Sequence, residues 1–96
     1  MIQKTYLKTK DYCKVKFTFD GTDADNIAIH GLQGDWNKPV ALKKKKDGSF
    51  WCEISLPKDS QHEFKYLVDG IEWMNEPTAD SEVQNEFGGR NSLLII

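Results

Sequence analysis

Two tryptophans stand in segments that favour turns rather than strands. Trp36 lies within residues 34–39, and Trp73 follows the turn dipeptide Asp69-Gly70. A large aromatic side chain in such a setting is not held in the inward-facing row of a strand, so we expect each indole to be partly exposed. The alternative is that each tryptophan caps one end of the core. Two of them in polar turns favour a binding surface, and an exposed indole suits the flat C–H face of a pyranose sugar.

Two polar side chains are candidates for orienting such a sugar. Lys65 points away from the face that carries Phe64 and Tyr66, and Asn91 follows shortly after Gly88-Gly89. Both can donate hydrogen bonds to hydroxyl groups. Taken alone, Lys65 is also explained as a solvated strand lysine.

Other chemistries have less support in the sequence. The lysine run over residues 43–46 suggests single-stranded nucleic acid, but alternate lysines face opposite sides of a strand, and lysine on an edge strand blocks edge-to-edge pairing. No two carboxylates are spaced as a glycosidase pair, and Asp35 and Asp69 stand in turns, where they accept backbone N–H bonds. His30 and His62 have no nucleophile at a recognisable spacing. We therefore expect no catalytic residue and no enzyme activity.

Composition narrows the class of protein further. A chain of 96 residues predicts a single domain over 1–96, and a net charge of −2 argues against binding through phosphate neutralisation. The sequence contains neither an apolar run long enough to span a bilayer nor a secretory leader, so we expect a cytoplasmic location without membrane contact. Cys13 and Cys52 lack metal-site spacing, so we expect two buried free thiols, no metal and no cofactor.

A hydrophobic period of two dominates the chain and predicts strands. It is clearest in Tyr12–Phe19, in residues 49–56 and in residues 63–68, and we expect shorter strands near Tyr6 and over residues 27–32, 41–45 and 92–96. Asp47-Gly48 and Asp69-Gly70 predict hairpin turns. The pattern indicates an all-β sandwich of about seven antiparallel strands, with a long irregular, functional loop over residues 74–89.

An ordered series of motifs resembles a known family. The series runs Gly31-x-x-x-x-Trp36-Asn37, Asp47-Gly48-Ser49-Phe50, Glu63-Phe64-Lys65-Tyr66-Leu67-Val68-Asp69-Gly70-x-x-Trp73, Phe87-Gly88 and Asn91-Ser92. It is similar to the glycogen-binding, isoamylase early-set family, which is carbohydrate-binding module family 48. That family occurs in AMP-activated protein kinase β subunits and before the barrels of branching and debranching enzymes. The resemblance covers residues 27–96 and implies an immunoglobulin-like sandwich.

The resemblance also implies roles for five residues in holding a linear α-1,4-glucan. Trp36 and Trp73 correspond to the stacking tryptophans, and Lys65 to the strand residue that contacts hydroxyls. Phe87 occupies the place of an apolar residue that reaches against the sugar, and Asn91 that of an amide donor.

Three positions depart from the family pattern. Gly89 stands where kinase-type members carry a hydroxyl residue, and Gln33 stands where members usually have phenylalanine. Trp73 lies one residue further from Asp-Gly than in kinase-type members, as in bacterial members.

The sequence therefore predicts a non-catalytic module that binds glycogen, starch or malto-oligosaccharide, resembling stand-alone bacterial early-set proteins. Since the chain begins with Met1 and ends on a predicted strand, we expect no catalytic barrel beside it. The alternative is a protein-interaction or regulatory domain on the same scaffold, associated with a glucan-metabolising enzyme of the glycoside hydrolase 13 type.

Overall fold

Two antiparallel sheets pack face to face in the computed structural model, which describes residues 1–96. The first sheet contains, in spatial order, β1 (Ile2–Tyr6), β2 (Tyr12–Phe19), β6 (Phe50–Pro57) and β5 (Lys43–Lys44). The second contains β4 (Val40–Ala41), β3 (Ile27–His30), β7 (Gln61–Val68), β10 (Arg90–Ile95) and β9 (Ser81–Gln84), and β8 (Glu72–Met74) also pairs with β7. This architecture confirms the predicted all-β, immunoglobulin-like sandwich.

The core forms from the alternating rows that the sequence predicts. In the first sheet, Phe17 of β2 pairs with Cys52 of β6, and both side chains are buried. Phe17 meets Phe64 of the second sheet edge to face, with ring centroids 5.4 Å apart. Both cysteines are free and buried, as predicted. Three residues that were predicted to face inward are only half-buried: Phe19, Ile54 and Val68.

The chain crosses between the sheets at Leu42. The side chain of Leu42 is buried, and its N–H donates to the carbonyl oxygen of Ile27 at 2.9 Å. The strand expected over residues 41–45 is therefore two short strands, β4 and β5, which lie in different sheets.

Ten strands form where about seven were expected, and the largest difference lies in the segment predicted to be an irregular loop over residues 74–89. That segment includes the end of β8 and all of β9. Three of the four residues of β9 are exposed, and Val83 is its single apolar side chain. Because β9 is held by its pairing with β10 rather than by a buried face, it has no period-two pattern to detect.

A buried carboxylate holds this segment against the core. Glu76 is 3% exposed and accepts hydrogen bonds from the hydroxyl of Tyr66 at 2.8 Å, from Thr78, and from the amino group of Met1 at 2.7 Å. Burial alone would raise the pKa of Glu76, but these donors outweigh it and hold that pKa below its ordinary value. The ionised carboxylate therefore stabilises the folded state.

The substitution Glu76→Gln should reduce the free energy of unfolding at pH 7 by about 2–3 kcal/mol, because it weakens charge-assisted bonds in a buried site. Folding lowers the pKa of Glu76 below its ordinary value of 4.5. The stability that the ionised carboxylate gives the fold is therefore fully present above pH 4.5, and it is lost as the pH falls through the pKa of the folded state. Urea denaturation at several pH values measures this. The difference in free energy of unfolding between Glu76→Gln and the wild type should shrink below pH 4.5. The control Glu82→Gln, on exposed β9, should change the free energy of unfolding little. A difference for Glu76→Gln that does not depend on pH would contradict the role assigned to its carboxylate.

Candidate functional site

The outer face of the second sheet is built from the row of β7 that does not enter the core. Phe64 and Tyr66 are buried, so the neighbouring side chains Glu63, Lys65 and Leu67 face outward. Lys65 pairs across the sheet with His30, and Leu67 pairs with Trp73 of β8. One strand thus brings the predicted lysine and the second tryptophan onto the same surface.

Trp36 reaches this surface because Gly31 leaves room for its indole. The chain leaves β3 at Gly31, which has a φ of 107°, and turns through a 3₁₀ helix over Leu32–Gly34. A Cβ atom at position 31 would lie 2.7 Å from Cζ2 of Trp36 and would also meet the carbonyl oxygen of Glu63. The expected strand over residues 27–32 therefore ends at His30, and the indole ring packs directly against Gly31.

A buried histidine fixes the same loop to β7. The backbone N–H of Gln33 donates to Nδ1 of His62 at 3.0 Å, and Nε2 of His62 lies 2.8 Å from the hydroxyl of Ser60. Burial lowers the pKa of His62, which favours the neutral ring that can accept this bond. Gln33 therefore secures the Trp36 loop through its main chain, independently of its side chain.

The two indoles lie side by side on the surface. Trp36 is 36% exposed and Trp73 is 48% exposed, with ring centroids 6.4 Å apart at an interplanar angle of 62°. His30 packs edge to face on Trp73 at 5.0 Å, and its Nδ1 lies 2.8 Å from the carbonyl oxygen of Trp36. His30 thus touches both tryptophans and sets their relative placement.

The aspartates in the turns beside the tryptophans accept backbone N–H bonds, as the sequence predicts. The carboxylate of Asp69 accepts backbone N–H bonds from Asp25 and Asn26, and that of Asp35 accepts one from Asn37. Both groups hold loops in place, which is the structural role expected for them.

The loop between β9 and β10 presents Phe87 at the rim of the surface, with 88% of the residue exposed. Oδ1 of Asn85 accepts the N–H groups of Phe87 and Gly89 at 2.9 and 3.0 Å. Nδ2 of Asn85 donates to Oδ1 of Asn91, and Nδ2 of Asn91 donates to Oε1 of Glu63, both at 3.1 Å. A chain of three polar side chains therefore ties the Phe87 loop to β7.

One open groove of about 820 Å³ contains all five residues singled out in the sequence: Trp36, Lys65, Trp73, Phe87 and Asn91. Asn91 lies on the floor, 8% exposed, and commits one amide N–H to Glu63. Sequence reasoning missed four further lining residues, which are Glu63, Gln84, Asn85 and Glu86. Gly89, which the sequence marks as a departure from the family pattern, lines the groove as well. The period-two row that contains Lys65 could have found Glu63, whereas no local pattern marks Asn85.

The groove offers aromatic faces and hydrogen-bonding groups at an open surface. No group of His, Cys, Asp and Glu side chains in the structure could hold a metal ion. None of the helical segments could span a bilayer, since the helix of the structure is a three-residue 3₁₀ turn.

A two-sheet antiparallel sandwich with an aromatic groove on one outer face is a scaffold suited to binding carbohydrate. Residues 13–96 match the family described as the glycogen recognition site of AMP-activated protein kinase. The chain belongs to that family of carbohydrate-binding modules, whose members are typically non-catalytic. The match begins in β2, further toward the N-terminus than the motifs alone indicated. No curated protein matches the chain.

The close contact between Gly31 and the indole of Trp36 predicts a large loss of stability when one methyl group is added at position 31. Gly31→Ala should destabilise the fold by roughly 2–4 kcal/mol and change the tryptophan emission, because the Cβ meets both the indole and a backbone carbonyl. Gly34→Ala is the matched control: Gly34 also has positive φ, but its Cβ would meet nothing within 4 Å, so we expect a cost of about 1 kcal/mol. Equal costs in urea denaturation would show that the indole contact contributes nothing.

The polar chain at the Phe87 loop predicts a local effect. Asn85→Ala should leave the global fold intact and speed hydrogen exchange at the amides of Phe87 and Gly89 by about tenfold, because each loses its acceptor. Amide exchange followed by NMR measures this, with Asn37→Ala in the other loop as the control. Unchanged protection of both amides would mean that Asn85 does not order the loop.

Proposed function

We propose that this chain is a non-catalytic module that binds linear α-1,4-glucans, such as glycogen, starch or malto-oligosaccharides, in the aromatic groove. The observation that carries the proposal is the convergence of Trp36, Trp73 and Phe87 on one groove that Lys65 also lines. Aromatic faces stack on the C–H surfaces of pyranose rings, and this contact is available only when the rings are exposed.

The angle between the indoles favours a curved ligand. A flat sugar ribbon would need coplanar aromatic rings, whereas the planes of Trp36 and Trp73 meet at 62°. Successive residues of an α-1,4-linked chain turn relative to one another, so each can stack on a differently oriented ring. The groove is therefore better suited to α-glucans than to flat β-linked chains.

Lys65 is the proposed hydroxyl donor on the sheet. It lines the groove, and neither ion pair of the structure includes it. Its ammonium group is thus available to a ligand, and Asn91 retains a second amide N–H for the same purpose.

Binding without catalysis is the better interpretation of the carboxyl groups in the groove. A glycosidase needs two carboxyl groups that flank the scissile bond, one of them free to donate a proton. Glu63 and Glu86 are the carboxyl groups that line the groove, and Oε1 of Glu63 accepts the hydrogen bond from Asn91 that ties the Phe87 loop to β7. Glu63 therefore has a structural role.

Two finer assignments rest on the sequence resemblance alone. They are membership of the isoamylase early-set group within family 48 and association with a glucan-metabolising enzyme. The cytoplasmic location stays a prediction from the sequence.

Isothermal titration with maltoheptaose tests the proposal. Trp36→Ala and Trp73→Ala should each weaken binding by about five- to thirtyfold through lost stacking, and Lys65→Ala by a smaller factor. Trp51→Ala on the other sheet is the matched control, since it removes a tryptophan without touching the groove. No heat of binding by the wild type, or equal weakening by Trp51→Ala, would contradict the proposal; a mass that rises with concentration and no glucan response would favour the protein-interaction alternative.

A further inference from the structure

The small net charge of the chain conceals a separation of charge between its two sheets. Residues 1–19 and 43–60, which form the first sheet and its connections, contain ten of the thirteen Lys and Arg residues and four of the fifteen Asp and Glu residues. The remaining residues, which form the groove sheet, contain three basic and eleven acidic side chains. The segments of the first sheet thus have a formal charge of +6, and those of the groove sheet have a formal charge of −8.

The outer face of the first sheet concentrates part of this positive charge around one aromatic ring. Cys13, Val15 and Phe17 are buried, so Lys14 and Lys16 of β2 face outward. Trp51 of β6 faces the same side and pairs with Lys43 of β5.

Two ammonium groups lie close to the Trp51 ring. Nζ of Lys16 is 5.5 Å from the ring centroid and Nζ of Lys43 is 5.6 Å away, within cation–π range. Glu53, which pairs with Lys16, is the acidic side chain on this face. We name the surface formed by Lys14, Lys16, Lys43 and Trp51 the basic face.

Ion pairs within the chain do not neutralise the basic face. The two ion pairs of the structure join Met1 to Glu76 and Lys4 to Asp80, and both lie outside it. Blocking of edge pairing accounts for lysines on the edge strand β5. It does not account for Lys14 and Lys16, because β2 is an interior strand. Tryptophan is enriched among the residues that anchor protein interfaces, and unpaired charges around such a residue attract a partner of opposite charge.

We propose that the basic face is a docking surface for an acidic protein surface. Charge complementarity selects an anionic partner. A single indole lacks the series of stacking platforms by which single strands are held, and the face contains no arginine for bidentate phosphate contacts. A second copy of the chain is a weaker occupant, because its acidic side is the groove sheet and docking there would cover the groove. Binding at the basic face does not depend on glucan binding, since groove and basic face lie on different sheets; only the lower rank of a second copy rests on the proposed function.

The probe for this surface is poly-L-glutamate, a polypeptide that carries only carboxylate charge. Fluorescently labelled poly-L-glutamate should bind the wild-type protein at 20 mM salt and dissociate at 0.5 M salt, where charges are screened within about 4 Å. The double variant Lys16→Glu/Lys43→Glu should weaken binding by at least about tenfold, and Trp51→Ala by about fivefold. Lys38→Glu, a charge reversal on the groove-sheet side, should change it less than twofold.

Thermal melts of each variant separate unfolding from lost contacts, and Trp51→Ala, which keeps every lysine, remains informative if the double variant is unstable. Three outcomes would overturn the proposal. They are equal weakening by Lys38→Glu and the double variant, tighter binding to a thymidine 20-mer than to poly-L-glutamate, and salt-sensitive self-association in sedimentation that consumes the basic face. The maltoheptaose titration reports separately on the groove.

Discussion

The alternation along β7 is the constraint on which both the core and the groove depend. Phe64 and Tyr66 fill the interior, while Glu63 and Lys65, on the same strand, line the groove. A shift of one residue would bury two charged side chains and expose two aromatic rings. Pairing with β3 and β10 fixes this register on both sides, and the bond from Tyr66 to buried Glu76 holds it from within.

The groove is assembled by loops that are anchored to β7. The Trp36 loop is held through His62, and the Phe87 loop is held through the polar chain that ends at Glu63. Each anchor is a hydrogen bond to a side chain of the strand that also carries Lys65. Residues that are distant in sequence therefore meet at fixed separations, and the site needs no deep cleft, which a domain of this size has little interior to form.

The sequence predicts those parts of the structure that follow from local patterns. Period-two rows identify β2, β6 and β7, and turn chemistry explains Asp35 and Asp69. β9 could not be predicted, because its residues are exposed and only its partner strand specifies it. The role of Asn85 was equally hidden, since its bonds depend on how the loop folds back. The net charge is a sum over the chain, so it does not show that the segments of the two sheets differ in the sign of their formal charge.

The three tryptophans provide the most direct test of the central claim, that a glucan occupies the groove. The indole N–H resonances of the wild-type protein can be followed by two-dimensional NMR during a maltoheptaose titration. Trp36 and Trp73 line the groove and Trp51 lies on the opposite sheet, so the first two signals should shift together with one dissociation constant while the third stays unchanged. Shifts at Trp51 alone, or none at Trp36 and Trp73 at millimolar glucan, would contradict the account.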